Sequence, residues 1–324
     1  MKKVLDVAFI FHKDNYFLSG KHFDNCYYNF FMKALQRNSE ISVKNFPTGN
    51  IFDAEILKER FDAILLFGNA DFGMPKEIKN IEKLEIPVIS RSADPRDAKK
   101  SKKNHSRWKI DYYFHFHSER FFHELYPKKF KYKTIFYGVE PLLFQNLHPF
   151  SDRIKNKILN SGNVGNLHFF SRIINDIRDP KWNNYRCKVL RTKCNNLSYV
   201  DYTLTQNHEY INDKYPLLLQ KYRAAIAADT YSPVIKYWEI PAAGCLTFME
   251  ISEKNNGNYI GFKDNETAIF INEKNYQEKF LEYLSDKENK KWETIAKAGN
   301  EFALKKFNND TGVKSLVELI KTLL

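Results

Sequence analysis

The sequence YRAAIAADTYSPVIKYWEIPAAGCLTFMEI, residues 222–251, determines which fold we expect. Its apolar run Ala224–Ala228 predicts a buried strand, because strands of a parallel sheet are apolar on both faces. Ser232 and Pro233 are residue types preferred at the N-cap and first position of a helix, and Gly244 is the type preferred at its end. A second apolar run completes a strand–helix–strand unit, in which ligands bind beyond the carboxyl ends of the strands.

Polar residues at helical spacing make the middle of this stretch a candidate ligand site. Ser232, Lys236 and Glu239 follow the i, i+4, i+7 rule and would share one face of the predicted helix. The start of a helix favours an anion through its unpaired N–H groups. Two plainer interpretations stay open: Ser232 as a simple N-cap, and Lys236 with Glu239 as a surface ion pair worth about 0.2–0.5 kcal/mol.

Strand-like and helical segments alternate through the first half of the chain. The predicted strands are residues 4–11, 41–46, 61–68, 87–92, 111–117 and 134–139. The predicted helices are residues 24–37, 53–59, 75–83, 96–106 and 118–125. A doubly wound parallel sheet produces this alternation, so we expect a Rossmann-like N-terminal domain over residues 1–145, followed by a linker within 140–155.

A second alternating series occupies the rest of the chain. Its predicted strands are residues 157–162, 188–192, 224–228, 245–251 and 267–271, and residues 198–203 are predicted as a short strand or a loop. Its predicted helices are residues 169–177, 208–222, 233–243, 273–285, 287–306 and 311–323. We expect a second Rossmann-like domain over 155–310 and a C-terminal helix over 311–324 that packs back toward the first domain. The fold class is α/β, with two Rossmann-like domains facing each other across a cleft.

Composition and charge limit the class of protein. The chain has 324 residues, four scattered cysteines without C-x-x-C spacing, and a formal net charge of +12. No apolar run approaches the roughly 20 residues of a membrane span, so we expect a cytoplasmic protein. Basic residues concentrate at 96–109 and 126–133. A solvated basic surface explains them first, contact with the inner face of an anionic membrane second, and nucleic acid last.

A glycine-containing loop offers a second candidate site. The sequence NSGNVGN, residues 160–166, directly follows a predicted strand and precedes a predicted helix. Its glycines permit close approach of the backbone to a phosphate, and its amides can donate to one. An ordinary turn explains the same residues, so the loop alone does not establish a phosphate site.

Three segments of the second half resemble the glycosyltransferases of group 1, which have the two-domain GT-B fold. They are IKYWEIPAAGCLTFME, YIGFKDNETAIFIN and EYLSDKENKKWETIAKAGNEFALKKF. The most specific part is the K-x-x-E-x-x-A-x-G pattern of residues 236–244, which is most similar to the spore-coat-protein-like branch. The likeness covers about residues 155–310. The first half resembles the family only in architecture and in YGVEPLLF, residues 137–144, which looks like the family's G-V-D-x-x-x-F segment.

The resemblance implies transfer of a sugar from a UDP- or GDP-sugar donor to an acceptor, with no cofactor and no metal. The acceptor class, whether glycan, lipid-linked or protein, stays open. Glu239 stands where the family's glutamate holds the donor ribose. Ser161, Gly162 and Asn163 match the loop near the diphosphate, and Arg172 resembles an arginine that we place near the same phosphate.

The sequence departs from the family at Tyr231, where many members have a second glutamate, eight positions before Glu239. This departure affects the expected contact with the donor sugar and the retaining stereochemistry, which we otherwise favour over inverting. Without a metal, the leaving diphosphate needs donors already in place. Arg172, Lys236 and the amides near Ser232 and Val234 are the candidates.

An inverting reaction would also need a base in the first half of the chain. His22, Asp24, Asp94 and His117 lie at predicted strand ends or in the loops that follow, and His22 and His117 are the first candidates. Each can equally be an ordinary loop residue. His115 shares a strand face with His117, but two histidines without a third ligand do not predict a metal site.

Two alternatives to a glycosyltransferase remain at this stage. A nucleotide-sugar epimerase can have the same two-domain fold. A non-catalytic protein that binds nucleic acid or a membrane surface would account for the positive charge.

Overall fold

The chain divides into two compact units, each built on its own parallel sheet. The structure is a computed structural model that describes residues 4–19, 22–94, 97–165, 168–179, 183, 185–204 and 212–324. Unit 1 comprises Met1–Gly20, Asp24–Tyr137 and Asn309–Leu324, and unit 2 comprises Lys21–Phe23 and Gly138–Asn308. This is the α/β fold with two Rossmann-like domains that the sequence predicts.

Unit 1 contains eight described strands. They are β1 Leu5–His12, β2 Ile41–Thr48, β3 Ile51–Asp53, β4 Ala63–Leu66, β5 Glu77–Lys79, β6 Val88–Arg91, β7 Tyr112–His115 and β8 Tyr132–Thr134. The main sheet has the order β2-β1-β4-β6-β7-β8, and β3 pairs with β5 in a separate ribbon. All the pairs in both sheets are parallel.

The helices of unit 1 are mostly short. They are α1 His22–Tyr28, which continues as a π-helical segment at Asn29–Ala34 and as α2 at Leu35–Arg37, then α3 Ala98–Ser101, α4 Asn104–Arg107 and α5 Glu119–Leu125. Ser118 caps α5, because its hydroxyl accepts a hydrogen bond from the Phe121 amide at 3.2 Å. The aromatic residues of the first helical segment are largely core, and the rings of Phe9 and Phe31 stack at 5.0 Å.

Unit 2 has five strands in its described part. They are β9 Ile154–Ser161, β10 Val200–Thr203, β11 Tyr222–Ala227, β12 Leu246–Glu250 and β13 Ile269–Ile271. The parallel sheet has the order β10-β9-β11-β12-β13. Chain order therefore reverses between β9 and β11, and such a switch point is where open α/β sheets bind ligands.

The remaining helices follow in chain order. They are α6 Phe169–Arg178, α7 Val189–Cys194, α8 Tyr215–Gln220, α9 Lys236–Ala242, α10 Tyr276–Ser285, α11 Lys290–Lys306 and α12 Asn309–Lys321. The last of them, α12, belongs to unit 1, where it contacts the π-helical segment. Nowhere in the described ranges is a helix both long and apolar enough to cross a membrane.

Several local predictions are wrong. The segment 188–192, predicted as a strand, is helical from Val189, because Leu190 and Cys194 are spaced four residues apart and both are buried in the core. Residues 75–83, predicted as a helix, instead contain β5 and a short 3-10 turn, since Ile78 pairs with Phe52 of β3.

Smaller differences concern where elements begin and end. The predicted helices 53–59 and 96–106 are a 3-10 turn and the two short helices α3 and α4. The predicted strand 134–139 shares only its first residue with β8, which comprises Tyr132–Thr134. The predicted linker carries two 3-10 turns, Pro141–Phe144 and Phe150–Asp152. Residues 205–211, within the predicted helix 208–222, lie outside the described residues.

Helix α9 is packed tightly between the strands and α11. Trp238 is buried and stacks on Phe307 at 4.8 Å. Gly299 of α11 approaches the backbone so closely that a Cβ there would lie 2.4 Å from the Thr267 carbonyl oxygen. Gly244, with φ at 71°, ends the helix as the sequence predicts. This packing fixes the side chains that α9 presents to the switch point.

Candidate functional site

The candidate site lies at the carboxyl ends of β9 and β11, where the chain order of the unit 2 sheet reverses. Ser161 ends β9, and Gly162 follows with φ at 103°, a conformation that favours glycine. A Cβ at Gly162 would lie 2.9 Å from Cε and 3.1 Å from Nζ of Lys236. The loop backbone and the lysine head group can therefore come together only because this position has no side chain.

Two hydroxyl groups hold the Lys236 ammonium beside the loop. Its Nζ donates to the Tyr215 hydroxyl at 2.9 Å and to the Ser161 hydroxyl at 3.2 Å. These two hydroxyls also hydrogen-bond each other at 2.6 Å. Because Tyr215 is fully buried, its hydroxyl is a fixed anchor, and the positive charge is positioned next to the Gly162 backbone.

Arg191 is the main site residue that the sequence analysis missed. It is only 4% exposed, and its guanidinium donates to the Asn163 carbonyl at 3.3 Å and to the Ala228 carbonyl. Its Nε has no hydrogen-bond partner within the part of the chain that is described. A strand over residues 188–192 would not single out Arg191, whereas the i, i+4 spacing of Leu190 and Cys194 indicates a helix that carries it.

The turn between β11 and α9 is closed by the half-buried carboxylate of Asp229. Asp229 accepts hydrogen bonds from the backbone amides of Tyr231, at 3.4 Å, and Ser232. Burial raises the pKa of Asp229 to about 6, although nearby Arg191 lowers it in part. The Ser232 amide is therefore engaged within the turn.

Helix α9 begins later than predicted, and this corrects the role assigned to Ser232. Its N-cap is Ile235 and its first residue is Lys236, so Ser232 neither caps the helix nor lies on its face. The Ser232 side chain instead hydrogen-bonds Tyr259. The physical reason is the Asp229 turn, which binds the Tyr231 and Ser232 amides and holds this stretch in a non-helical conformation before α9. Val234 lies in the same turn, and its carbonyl accepts from the Tyr237 amide at 2.8 Å.

Glu239 lies in the first turn of α9 and is only 3% exposed. A residue so deeply buried is not part of a surface ion pair, and that plainer interpretation of Lys236 and Glu239 is wrong. The structure therefore brings Ser161, Gly162 and Lys236 into one cluster. Asn163 joins this cluster because its carbonyl accepts a hydrogen bond from Arg191.

A second buried carboxylate ends the neighbouring strand β12. The Oε2 atom of Glu250 is buried and has no hydrogen-bond partner among the described residues. Burial, followed by the nearby Asp229 charge, raises the pKa of Glu250 to about 8. Its carbonyl accepts from the Tyr237 hydroxyl at 3.1 Å and from the Asn255 amide at 2.8 Å. No sequence pattern singled out this residue, because it stands at the end of an ordinary apolar strand.

Arg172 and Tyr231 have different surroundings. The Arg172 guanidinium lies 3.9 Å from the centre of the Tyr185 ring, and none of its described contacts reaches residues 161–163. The ammonium of Lys254 lies 4.8 Å from the centre of the Tyr231 ring. The predicted contact between Arg172 and the phosphate loop therefore has no support from the described contacts.

The histidine pair of unit 1 is buried at the end of β7. The rings of His115 and His117 stack at 4.5 Å, and Nε2 of His115 lies 3.3 Å from a guanidinium nitrogen of Arg91. Burial lowers the pKa of His117 to about 4, so it is neutral at pH 7, although Asp94 raises the pKa in part. The side chain of His22 lies outside the described residues. Across the described ranges, no group of three or more His, Cys, Asp or Glu could hold a metal ion.

Comparisons with known proteins agree with this architecture. Residues 168–318 match a family described as glycosyl transferase-like. A glycosyltransferase structure from Rickettsia africae ESF-5 is 12% identical, with a TM-score of 0.56, and the match covers 100% of this chain and 99% of that one. No curated protein matches the sequence.

Two further structures were solved with ligands. Anabaena HepE in complex with UDP-glucose is 11% identical with a TM-score of 0.56, and the match covers 98% of this chain and 100% of that one. An alpha-glucosyltransferase in complex with UDP is 10% identical with a TM-score of 0.55, again over 98% and 100% of the two chains. At these identities the likeness establishes the fold, which is GT-B.

Proposed function

We propose that this protein is a group 1 GT-B glycosyltransferase, which transfers a sugar from a UDP- or GDP-sugar to an acceptor without a metal. The match of residues 168–318 to a family described as glycosyl transferase-like supports this proposal. The observation that carries the proposal is the cluster of Lys236 and Arg191 around the Gly162 loop at the switch point of unit 2. Structures of the same fold that hold UDP or UDP-glucose support the choice of donor.

The charges at the loop suit a diphosphate. Lys236 is anchored by Tyr215 and Ser161, so its ammonium needs little rearrangement to stabilise charge that develops on a leaving nucleotide. Arg191 adds a second, buried positive charge beside Asn163. Asp229 and Glu250 both interact electrostatically with this arginine. The pKa of Glu250, raised to about 8, leaves that carboxyl mostly uncharged at pH 7, so it adds little negative charge to oppose a phosphate.

The remaining donor contact is assigned to Glu239. A buried carboxylate on α9 can accept both ribose hydroxyls, as acidic residues do in other nucleotide-binding folds. Its burial also makes such a bond stronger than it would be in water. We assign the ribose to Glu239 and the diphosphate to the Gly162 loop, Lys236 and Arg191.

We favour a retaining reaction because it needs no strong base from the protein. His117 is the described histidine candidate for an inverting base, and its pKa of about 4 leaves it neutral but weakly basic at pH 7. Proton transfer to such a group has little driving force. Determining the anomeric configuration of the product by NMR distinguishes the two reactions.

Nucleotide binding is the first test. Titration with UDP, GDP and ADP, each with and without EDTA, should give a specific response to UDP or GDP that does not depend on a metal. Stabilisation of about 2.7 kcal/mol is expected at a ligand concentration of 100 Kd. Glu239→Ala and Arg191→Met should weaken this binding roughly tenfold or more, since each removes a buried partner of the ligand. Arg120→Met, at a side chain 70% exposed in unit 1, is the matched control.

Three outcomes would change the proposal. A response to no nucleotide would favour a non-catalytic protein of the same fold. Interconversion of a nucleotide sugar in the absence of acceptor would indicate an epimerase. Binding that requires a divalent cation would contradict the metal-independent mechanism. The acceptor itself can then be sought among glycans, lipid-linked sugars and proteins, in the cytoplasm where we expect the enzyme to act.

A further inference from the structure

Helix α6 presents its apolar face to solvent. Five large apolar side chains along its ten residues are all exposed: Phe169, Phe170, Ile173, Ile174 and Ile177. Phe169, Phe170 and Ile177 are 66%, 68% and 76% exposed, and no residue of the helix is buried. Their spacing places all five on one stripe of the helix, which we call the α6 stripe.

The polar face of α6 makes the contacts with the rest of unit 2. Arg172 lies over the ring of Tyr185, and Asp176 accepts from the guanidinium of Arg186 at 2.8 Å. Asn183 donates to the same carboxylate at 2.7 Å. The helix is therefore anchored through polar contacts with its apolar side outward, which is the reverse of a helix that packs on a protein core.

A contiguous apolar stripe of this kind indicates a binding surface. Single exposed apolar residues are common on proteins, but contiguous patches mark sites that contact another molecule or a membrane. The two adjacent phenylalanines at the start of the helix are the largest part of the α6 stripe. Both rings are more than 60% exposed, which would reduce solubility unless a partner covers them.

The charge around the stripe indicates what that partner is. Residues 168–186 contain four Lys or Arg and two Asp, in a chain whose net charge is +12. Asp176 is already paired with Arg186, and Arg178 is exposed at the end of the helix. A helix with an apolar face and surrounding positive charge is suited to the interface of a bilayer that carries negative headgroups.

We propose that α6 docks this protein on the surface of a membrane containing anionic phospholipids. In the docked state, the α6 stripe lies in the headgroup–acyl boundary and Arg178 contacts the anionic headgroups. The binding is peripheral and reversible, because one ten-residue helix lying in the interface buries far less apolar surface than a spanning segment. The proposal does not rest on the proposed catalytic function, since the stripe contains none of the residues assigned to the donor.

Vesicle co-sedimentation tests the proposal. The wild-type chain should bind vesicles of phosphatidylcholine mixed with phosphatidylglycerol, bind pure phosphatidylcholine more weakly, and lose affinity as salt is added. The triple variant Phe169→Ser, Phe170→Ser, Ile177→Ser should bind at least about tenfold more weakly, because it removes the largest apolar contacts. Arg178→Glu should lower binding to the anionic vesicles only.

The matched control is Leu281→Ser on α10, which removes a side chain that is 54% exposed in the same unit. It should bind vesicles as the wild type does. Retention of the wild-type melting temperature shows that the triple variant is folded. Equal binding of wild type and triple variant, or equal binding to both kinds of vesicle, would overturn the proposal. So would a wild-type dimer that the triple variant converts to a monomer without any vesicle binding, since a second copy of the chain would then be the partner.

Discussion

Replacing Gly162 with alanine should damage the candidate site through one identifiable side chain. The new Cβ would lie 2.9 Å from Cε and 3.1 Å from Nζ of Lys236. Both atoms are at the flexible end of the lysine, so the head group moves more easily than the strand. Lys236 should then leave the Tyr215 and Ser161 hydroxyls that hold it at 2.9 and 3.2 Å.

Two costs follow from the geometry of Gly162→Ala. Holding an alanine at a φ of 103° costs about 1–3 kcal/mol. For a domain of the size of unit 2 this corresponds to a fall in Tm of about 2–12 °C. If the Gly162 loop holds the diphosphate as proposed, loss of the positioned ammonium removes a charge-assisted hydrogen bond of about 1.5–3 kcal/mol, so the Kd for UDP should rise about 10- to 150-fold.

Calorimetric titration with UDP and thermal denaturation measure the two costs of Gly162→Ala separately. Gly49→Ala is the control, since a Cβ there meets nothing within 4 Å. The decisive comparison adds Lys236→Met alone and in combination with Gly162→Ala. If the alanine acts through the lysine, it should weaken UDP binding little further in the Met background. Full additivity of the two substitutions, or an unchanged Kd in Gly162→Ala, would refute this reasoning.

Two further predictions concern stability. Burial raises the pKa of Glu250 to about 8 from an ordinary value of 4.5, so its contribution to folded-state stability is lost as the pH rises between these values. The Tm of Glu250→Gln, relative to the Tm of the wild type, should therefore increase from about pH 5 to about pH 9. A Tm difference that stays constant in a pH series of thermal melts would contradict this. Gly299→Ala should lower Tm markedly more than Gly49→Ala, because its Cβ would meet the Thr267 carbonyl oxygen at 2.4 Å and backbone cannot move aside as a side chain can. Equal Tm values for the two glycine variants would show that α11 shifts freely.

Sequence patterns were reliable where one physical rule dominates. Continuous apolar runs predicted the buried strands β1, β11 and β12, because a strand covered on both faces has no polar side. Alternation of such strands with helices predicted two Rossmann-like units. The K-x-x-E-x-x-A-x-G pattern pointed to Lys236 and Glu239, and residues 168–318, which include it, match a family described as glycosyl transferase-like.

Local rules failed where tertiary contacts compete with them. Ser232 and Pro233 satisfy the usual preferences for a helix start. The Asp229 carboxylate nevertheless accepts hydrogen bonds from the Tyr231 and Ser232 amides, and α9 begins at Lys236. The composition of residues 188–192 favours a strand, yet Leu190 and Cys194 are buried in the core on one face of helix α7. That second error concealed Arg191.

By itself, the sequence determined the fold class, the two-unit organisation and the stretch that carries the site, because periodicity and apolar runs encode which faces are buried. Only the tertiary structure decided which charges surround the loop at Gly162. Tyr215 and Arg191 come from α8 and α7, far along the chain from Ser161, and no spacing rule relates them. The exposed side of α6 is a similar case, because a helical pattern shows that an apolar face exists but not whether the fold covers it.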